Sequence, residues 1–336
     1  MHRVALALSL LAPLTAQDDG VLRYIGASGP GAGKRIVLIA GDEEYRSEES
    51  MPMLARILAV RFGFDCEVLF HVDPKSGAID PNDATHVVHP ERIDGADLVV
   101  LDLRFRRWSD EDMRHLVDHV AAGRAVFGIR TATHAFRYAK DDTSPYADWS
   151  FDRDGGFGRR ILGETWVAHH GEHGRQGTRG VVVEAFAAHP VLRGVRDVHG
   201  PTDVYAVRDL PADARVLLRG AVVEGLDADA KPVEGKPNDP MMPLFWLREI
   251  ARDGAAPMRV ACSTIGSADD LVCGDLRRLF VNTCLWCTGR AESIRADACV
   301  DPVGGFRPSH FGFGGFVPGV KPQDLALPAI PPRSRD

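Results

Sequence analysis

The chain has 336 residues, of which 45% are hydrophobic, and its formal net charge is −7. This composition is sufficient for the core of one large domain or of two small ones. Acidic and basic residues are interspersed, so the sequence lacks the basic stripe typical of proteins that bind nucleic acid or anionic lipid. A small-molecule partner is therefore favoured over a nucleic acid or a membrane.

The first sixteen residues have the pattern of a signal peptide. A basic start at His2 and Arg3 precedes an apolar run from Val4 to Leu14, and Ala16 supplies a small residue at the exit. The run is shorter than the ~20 helical residues that span a bilayer, and no later segment is both longer and uncharged. We therefore expect an exported protein, either periplasmic or secreted, that does not reside in a membrane.

Residues 17–33 are rich in glycine and predict a flexible leader ahead of the first strand. Their end, Gly29-Pro30-Gly31-Ala32-Gly33-Lys34, resembles a phosphate-binding loop. However, that motif needs glycine where Ser28 stands and Ser or Thr where Arg35 stands, and it follows a strand instead of preceding one. We therefore exclude a phosphate-binding loop.

Residues 34–290 alternate short β-branched runs with helical patterns. This alternation is typical of βαβ units and predicts an α/β domain with a doubly wound, mostly parallel sheet. The predicted strands cover, in chain order, residues 36–40, 66–70, 97–101, 125–129, 180–185, 215–218, 244–247 and 259–263. The predicted helices cover residues 48–62, 110–122 and 269–288, and Ser109 is the expected N-cap of the second.

Two segments predict irregular structure. Residues 223–243 are rich in Asp, Lys, Gly and Pro and predict a long surface loop. Residues 291–336 form a tail rich in Gly, Pro and Phe, which we expect to pack on the domain. The phenylalanines between Phe311 and Phe316 favour anchoring of this tail across the domain surface over lining a binding site.

Six cysteines would allow disulfides in an exported chain, but their spacing does not reveal the pairing. The stretch Cys284-Leu285-Trp286-Cys287 lies inside an apolar helical run instead of at the start of a helix. Core packing or a structural bridge is therefore favoured over a redox site or a zinc site, because structural zinc usually needs a second matched pair.

Ligands of open parallel sheets bind at the carboxyl ends of the strands, near the point where the strand order reverses. The predicted strand 125–129 runs directly into Arg130-Thr131-Ala132-Thr133-His134. Such a turn resembles a nucleophile elbow, in which backbone N–H groups at a helix start can hold an anion or an oxyanion. We therefore place the candidate active site at this turn.

Arg130 stands where class I glutamine amidotransferases, which this stretch resembles, have their nucleophilic cysteine. Arginine is permanently protonated and cannot attack a carbonyl, so thiol glutaminase chemistry is excluded at this position. We expect Arg130 and the backbone N–H of Thr131 to hold an anion or an oxyanion. The alternative is that Arg130 pairs with a buried carboxylate such as Glu44.

A second candidate region, residues 163–173, contains His169, His170 and His173 together with Glu164. Imidazoles and carboxylates perform acid–base catalysis near neutral pH and bind divalent metals. The region lacks the HExxH helix pattern, and its glycines indicate a loop. Catalysis or substrate contact, ligation of zinc or manganese by the three histidines, and a solvated loop all remain open from the sequence.

Six stretches between residues 35 and 290 together resemble the ThuA-like (trehalose-utilisation) family of the class I glutamine amidotransferase-like superfamily. They are Gly41-Asp42-Glu43-Glu44-Tyr45-Arg46, Gly128-Ile129-Arg130-Thr131-Ala132-Thr133-His134, Gly163-Glu164-Thr165-Trp166 with His169-His170, His189-Pro190, Gly200-Pro201-Thr202-Asp203 and Asn238-Asp239-Pro240-Met241-Met242-Pro243. The resemblance implies a flavodoxin-like sheet. The family's usual member has a histidine directly after Gly-Ile, where this chain has Arg130, but His134 lies about one helical turn further on and is expected to reach the same pocket.

Members of this family are associated with carbohydrate catabolism, including that of oxidised (keto) disaccharides. The resemblance therefore implies a sugar or an oxidised glycoside as substrate, and a hydrolase, lyase or isomerase as the enzyme class. We predict four catalytic residues, a base and the carboxylate that orients it, among His134, Glu164, His169 and His170. We predict substrate contacts from Asp42, Glu44, Arg46, Arg130, Thr131, Trp166, His173, Asp203 and Tyr205. The alternative is a carbohydrate-binding or scaffold protein without catalysis, and a homo-oligomer is compatible with either hypothesis.

Overall fold

The computed structural model describes residues 20–327. The predicted signal peptide and the first residues of the predicted leader lie outside the described residues, as does the end of the tail from residue 328 onward. Within the described part, no helix has both the length and the apolar character needed to cross a membrane.

The described residues form ten strands and three α-helices. The strands are β1 (Leu22–Tyr24), β2 (Arg35–Gly41), β3 (Asp65–Phe70), β4 (Leu98–Leu103), β5 (Ala125–Ile129), β6 (Thr178–Val182), β7 (His199–Gly200), β8 (Arg215–Val222), β9 (Met242–Arg252) and β10 (Ala255–Ser263). The helices are α1 (Ser47–Phe62), α2 (Asp110–Ala121) and α3 (Gly274–Cys287). Ser109 caps α2 as predicted, because its hydroxyl accepts a hydrogen bond from the backbone N–H of Asp112.

All ten strands belong to one mixed sheet in the order β1-β3-β2-β4-β5-β10-β9-β8-β6-β7. The neighbours from β3 to β10 are parallel, and every other pairing is antiparallel. The prediction of an α/β sheet is therefore confirmed, but the prediction that it is mostly parallel is not. A physical reason lies in the second half, where only Asp253 and Gly254 separate β9 from β10. A connection that short can join only antiparallel strands.

The leader that we predicted to be flexible contains the edge strand β1. Its residue Leu22 pairs with Val68 of β3, and Tyr24 pairs with Cys66. The Tyr24 hydroxyl also donates to the backbone oxygen of Leu325 at 2.7 Å, which ties β1 to the tail. The strand was missed because three residues are too few to show an alternating pattern.

The parallel strands bury both of their faces, which explains their continuous apolar sequences. Ile36 and Leu38 of β2 point to the face covered by α1 and α3. Val37 and Ile39 point to the opposite face, where Met113 and Leu116 of α2 pack. Helices therefore cover both faces, and polar residues that follow these strands collect at the exposed carboxyl edge.

The CxxC stretch belongs to the core. Cys284 and Cys287 lie on the buried face of α3, and all six cysteines, which fall within residues 20–327, carry free thiols. Burial raises the pKa of the Cys284 thiol well above its usual value, which disfavours the reactive thiolate. The structure therefore supports a core-packing role for this motif.

Candidate functional site

The turn after β5 has a strained backbone, as in the elbow that the sequence resembles. Ile129 ends the strand in an extended conformation, and Arg130 has a φ of 41°. This left-handed region is unfavourable for a residue that carries a Cβ, so the surrounding structure must hold it. Arg130–His134 then form one 3₁₀ turn at the carboxyl end of β5.

The side chain of Arg130 is fully buried, and both terminal nitrogens of its guanidinium bond to the protein. The guanidinium carbon lies 4.2 Å from the ring centroid of Tyr45 and 4.4 Å from that of Tyr205. Nη1 donates to the backbone oxygens of Asp203 and Thr264 at 2.8 and 2.7 Å. Nη2 donates to the Tyr45 hydroxyl at 3.1 Å and to Oδ1 of Asp203 at 2.9 Å. Arg130 therefore joins Asp203, Thr264 and Tyr45 inside the protein. Its terminal guanidinium nitrogens are occupied and are not available to a substrate anion.

Asp203 is the carboxylate at the centre of the site. It is the buried partner of Arg130, a role for which the sequence analysis named Glu44 as an example. Its Oδ2 lies 2.7 Å from Nδ1 of His169, and its Oδ1 lies 3.0 Å from Nδ1 of His173. Burial alone would raise the pKa of Asp203, but the charge of Arg130 and the two histidine hydrogen bonds outweigh it and lower the pKa. Asp203 is therefore ionised and orients two imidazoles.

His169 reaches this carboxylate because a short antiparallel bridge joins it to Tyr205, two residues after Asp203. The backbone N–H of Ala206 donates to the oxygen of Ala168 at 2.9 Å and extends the bridge. Since Nδ1 of His169 faces a carboxylate, the neutral ring carries its proton there and its lone pair on Nε2. His169 thus has the arrangement of an oriented general base.

His134 lies on the other side of the site in an aromatic environment. Its ring centroid is 5.1 Å from that of Phe105, 5.4 Å from that of Trp166 and 6.1 Å from that of Tyr205. Burial, reinforced by the nearby positive charge of Arg104, lowers the pKa of His134 well below its usual value. The imidazole is therefore neutral at physiological pH.

These side chains enclose a small cavity at the carboxyl edge of the sheet. It is lined by Glu44, Tyr45, Arg104, Phe105, His134, Trp166, His169 and Tyr205. Its volume of about 30 Å³ has room for about one or two water molecules. Small-molecule sites usually enclose several hundred Å³, so this cavity is much smaller than a usual ligand site.

His173 forms the rim between the first-strand loop and Asp203. Its Nε2 lies 3.0 Å from Oε1 of Glu44, and its ring centroid lies 4.5 Å from that of His169. The hydrogen bond to Asp203, followed by the charges of Asp203 and Glu44, raises the pKa of His173. The structure therefore brings together eight of the predicted site residues: Glu44, Arg130, His134, Trp166, His169, His173, Asp203 and Tyr205.

Two predicted catalytic residues lie elsewhere and have structural partners. Glu164 accepts hydrogen bonds from the backbone N–H groups of Thr165, Arg208 and Asp209 at 2.7 to 2.9 Å, and it does not contact a histidine. His170 places Nε2 2.6 Å from the backbone oxygen of Pro237. In the structure, Asp203 is the carboxylate that contacts His169, whereas Glu164 is bonded to backbone N–H groups.

Three predicted substrate-binding residues also have protein partners instead of facing the cavity. Oδ1 of Asp42 accepts from the backbone N–H groups of Glu44 and Tyr45 and fixes the loop after β2. The Thr131 hydroxyl donates to a buried carboxylate oxygen of Asp102 at 3.2 Å. Buried Arg46 donates to the backbone oxygen of Gly312 in the tail. Trp166, another predicted substrate-binding residue, does line the cavity.

The structure changes the candidate metal ligands. His169, His173 and Asp203 offer ligand atoms within 4.8 Å of one another, the only such group found among residues 20–327. His170 is not part of it, contrary to the predicted set of three histidines. The guanidinium of Arg130 already neutralises Asp203 and would repel a second cation there. An imidazole–carboxylate set suits zinc or manganese, so His169, His173 and Asp203 are the candidate ligands of such an ion.

Four cavity or rim residues were not among the predicted site residues. Tyr45, Arg104 and Phe105 line the cavity, and Phe311 of the tail packs on Tyr45 with 5.8 Å between ring centroids. The position of Arg104 and Phe105 directly after a strand was a usable signal. The sequence marked Phe311 as an anchor of the tail, but its contact with the site depends on the path of the tail.

The fold and site define an α/β protein with a mixed sheet and a histidine–carboxylate site at the carboxyl ends of its parallel strands. The chain is similar in fold to a thua-like protein from Parabacteroides merdae, with 17% identity over 88% of this chain and 99% of that one and a TM-score of 0.47. A thua-like protein from Bacteroides uniformis gives 13% identity over 78% and 93% of the two chains, with a TM-score of 0.43.

The glutaminase domain of a Trypanosoma brucei CTPS gives 10% identity over 81% of this chain and 98% of that domain, with a TM-score of 0.37. No family model and no curated protein matches the chain. Likenesses at these identities and TM-scores do not carry an activity from one protein to another.

Proposed function

We propose that the protein is an exported ThuA-like enzyme of the class I glutamine amidotransferase-like superfamily that acts on a sugar or an oxidised (keto) glycoside. The observation that carries the proposal is the contact of 2.7 Å between Nδ1 of His169 and the buried carboxylate of Asp203. This pair leaves Nε2 of His169 as a base beside an enclosed, partly aromatic cavity. The six sequence stretches that resemble the family support the substrate class.

In the proposed reaction, Nε2 of His169 removes a proton from the carbon next to the substrate carbonyl. The electron pair of the broken C–H bond forms the C=C bond of an enolate, and the carbonyl π pair moves onto the oxygen. The imidazolium that forms is stabilised by Asp203. Neutral His134 faces the same cavity and can donate to or accept from the substrate without carrying a charge. Trp166 and Tyr205 supply the aromatic faces on which a sugar ring packs.

Arg130 acts through Asp203. Burial by itself would raise the pKa of Asp203 and favour the protonated acid. The Arg130 guanidinium supplies that charge and is itself held between two tyrosine rings. Arg130, which replaces the amidotransferase nucleophile, thus keeps Asp203 ionised, and this supports histidine-based proton transfer.

Two neighbouring histidines provide the test. We expect His169→Gln to lower kcat on keto-glycosides by about 100-fold or more, since general base catalysis typically contributes that much. His170→Gln is the matched control, because His170 contacts a backbone oxygen and not the cavity. Equal activity of the two variants would contradict the proposed base.

The second candidate is a carbohydrate-binding or scaffold protein on the same fold, which is favoured by Arg130 at the position of the amidotransferase nucleophile. It would bind sugars saturably and form no product on long incubation. Metal-assisted chemistry at His169, His173 and Asp203 is distinguished by elemental analysis of the purified protein. We expect no stoichiometric zinc or manganese, because Arg130 occupies the same carboxylate.

A further inference from the structure

A segment of the tail, residues 309–316, lies across the loop that follows β2; we call it the strap. The backbone N–H of Gly312 donates to the backbone oxygen of Glu44 at 2.7 Å. The backbone oxygen of Gly312 accepts from the side chain of Arg46. Phe311 packs on Tyr45 and on His173, with 5.8 and 5.5 Å between ring centroids. The strap therefore contacts three residues of the site, Glu44, Tyr45 and His173.

The strap extends over the arginine side of the same site. The ring of Phe313 covers the guanidinium of Arg104, which lies 4.9 Å from its centroid. At the other end of the strap, the backbone N–H of Ser309 donates to Glu49 at 2.8 Å. Arg104 lines the cavity, so the strap meets the cavity wall from outside.

Phe311 is the one buried residue of the strap, at 7% exposed. Phe313 is 64% exposed, and the His310 pair with Asp269 involves a histidine side chain that is 60% exposed. Gly312 and Gly314 have φ values of 136° and 70°, in the region that favours glycine. Segments with few buried contacts open locally at a lower free-energy cost than the core.

We propose that the strap is the gate of the His169 site: it closes over the first-strand loop, and a sugar-sized ligand enters only when it lifts. The inference rests on the proposed function for the identity of the ligand, but the gate itself does not depend on it. A cavity of about 30 Å³ does not admit a disaccharide, whereas lifting the strap uncovers Glu44, Tyr45, His173 and Arg104 together. The apparent on-rate is then the intrinsic rate multiplied by the open fraction.

Two glycine substitutions separate gating from packing. A Cβ at Gly312 would meet nothing within 4 Å, so Gly312→Ala acts through its φ of 136° and strains the closed strap without changing a site residue. Gly305→Ala is the matched control, since its Cβ also meets nothing and its φ is not in the glycine region. Strain of this kind should raise the open fraction on the order of tenfold.

Three measurements test the gate. Hydrogen exchange of the peptide that covers residues 309–316 should accelerate about tenfold in Gly312→Ala and not in Gly305→Ala. Carbethoxylation of His173 should also accelerate in Gly312→Ala, because Phe311 then no longer packs on the His173 imidazole. The exposed His86 is the internal reference for this rate. The association rate constant of a keto-disaccharide should rise by about the same factor.

Faster exchange of the strap with unchanged His173 modification and unchanged association would overturn the proposal, because the strap would then be packing alone. If no variant binds any sugar, the proposed function fails, and His173 modification still decides whether the strap is a gate. Equal exchange of the two variants also contradicts the gate, since the closed state would then be insensitive to strain at Gly312.

Discussion

Nη2 of Arg130 lies 2.9 Å from Oδ1 of Asp203, and neither side chain is exposed to solvent. Removing one partner of such a pair leaves a buried charge without compensation. We therefore expect Asp203→Asn to lower the free energy of unfolding by about 3–5 kcal/mol, measured by urea denaturation. Asp209→Asn, which alters an exposed pair with Arg159, is the control and should change stability by about 1 kcal/mol or less.

A double-mutant cycle isolates the interaction. The double variant of Arg130→Met and Asp203→Asn removes both charges, so it should be less destabilised than the sum of the single variants. Additivity within about 0.5 kcal/mol would show that the two side chains are not coupled.

Glu48 makes stability depend on pH. Burial raises its pKa from an ordinary 4.5 to about 8, and neither carboxylate oxygen has a hydrogen-bond partner. The folded state therefore holds the proton, so this contribution is fully present below pH 4.5 and is lost as the pH rises to about 8. Glu48→Gln should remove a loss on the order of 2–5 kcal/mol over that interval.

The matched control for Glu48 is Glu111→Gln, which alters an exposed acid in the first turn of α2. Urea denaturation of each variant at several pH values gives the comparison. A wild-type protein whose stability does not fall between pH 5 and 8 relative to Glu48→Gln would contradict a protonated Glu48.

Two of the three histidines of the site, His134 and His173, should titrate on opposite sides of the ordinary value of 6.5. The hydrogen bond to Asp203 raises the pKa of His173, so its contribution to stability is present below pH 6.5 and is lost as the pH rises through the raised pKa. Burial lowers the pKa of His134, which should stay neutral throughout this range. Imidazole proton resonances measure both, and Asp203→Asn should lower the value for His173 alone. A His173 that titrates below His134 would refute this assignment.

Glu164 should matter for stability and not for catalysis. Its carboxylate accepts three backbone N–H groups and pairs with Arg159 at 2.9 Å. Glu164→Gln places a donor among these donors and should cost about 1–3 kcal/mol. Turnover per folded molecule should stay within about twofold of wild type. A variant with full stability and greatly reduced kcat would restore Glu164 to the role that the sequence suggested.

The central parallel strands were predictable because buried parallel strands have continuous apolar sequences. The predicted strands 36–40, 66–70 and 125–129 lie within β2, β3 and β5, and the helix after Ser109 begins where its cap places it. The predicted strands 215–218, 244–247 and 259–263 lie within β8, β9 and β10, but their antiparallel pairing was not recognised. The strands β1 and β7 were missed, and they have only three and two residues. Strands that short are defined by their partners and carry almost no pattern of their own.

The sequence by itself determined where polar residues follow strands, and it therefore located the turn from Arg130 to His134 and the histidines near residue 170. Tertiary structure decided the partner of each side chain. Arg130 bonds to a residue 73 positions away, and His169 to one 34 positions away, at distances along the chain that local patterns do not encode. Long-range packing placed Asp203 beside His169 and placed Glu164 beside backbone N–H groups. A buried charge is stable only beside the partner that the fold brings to it.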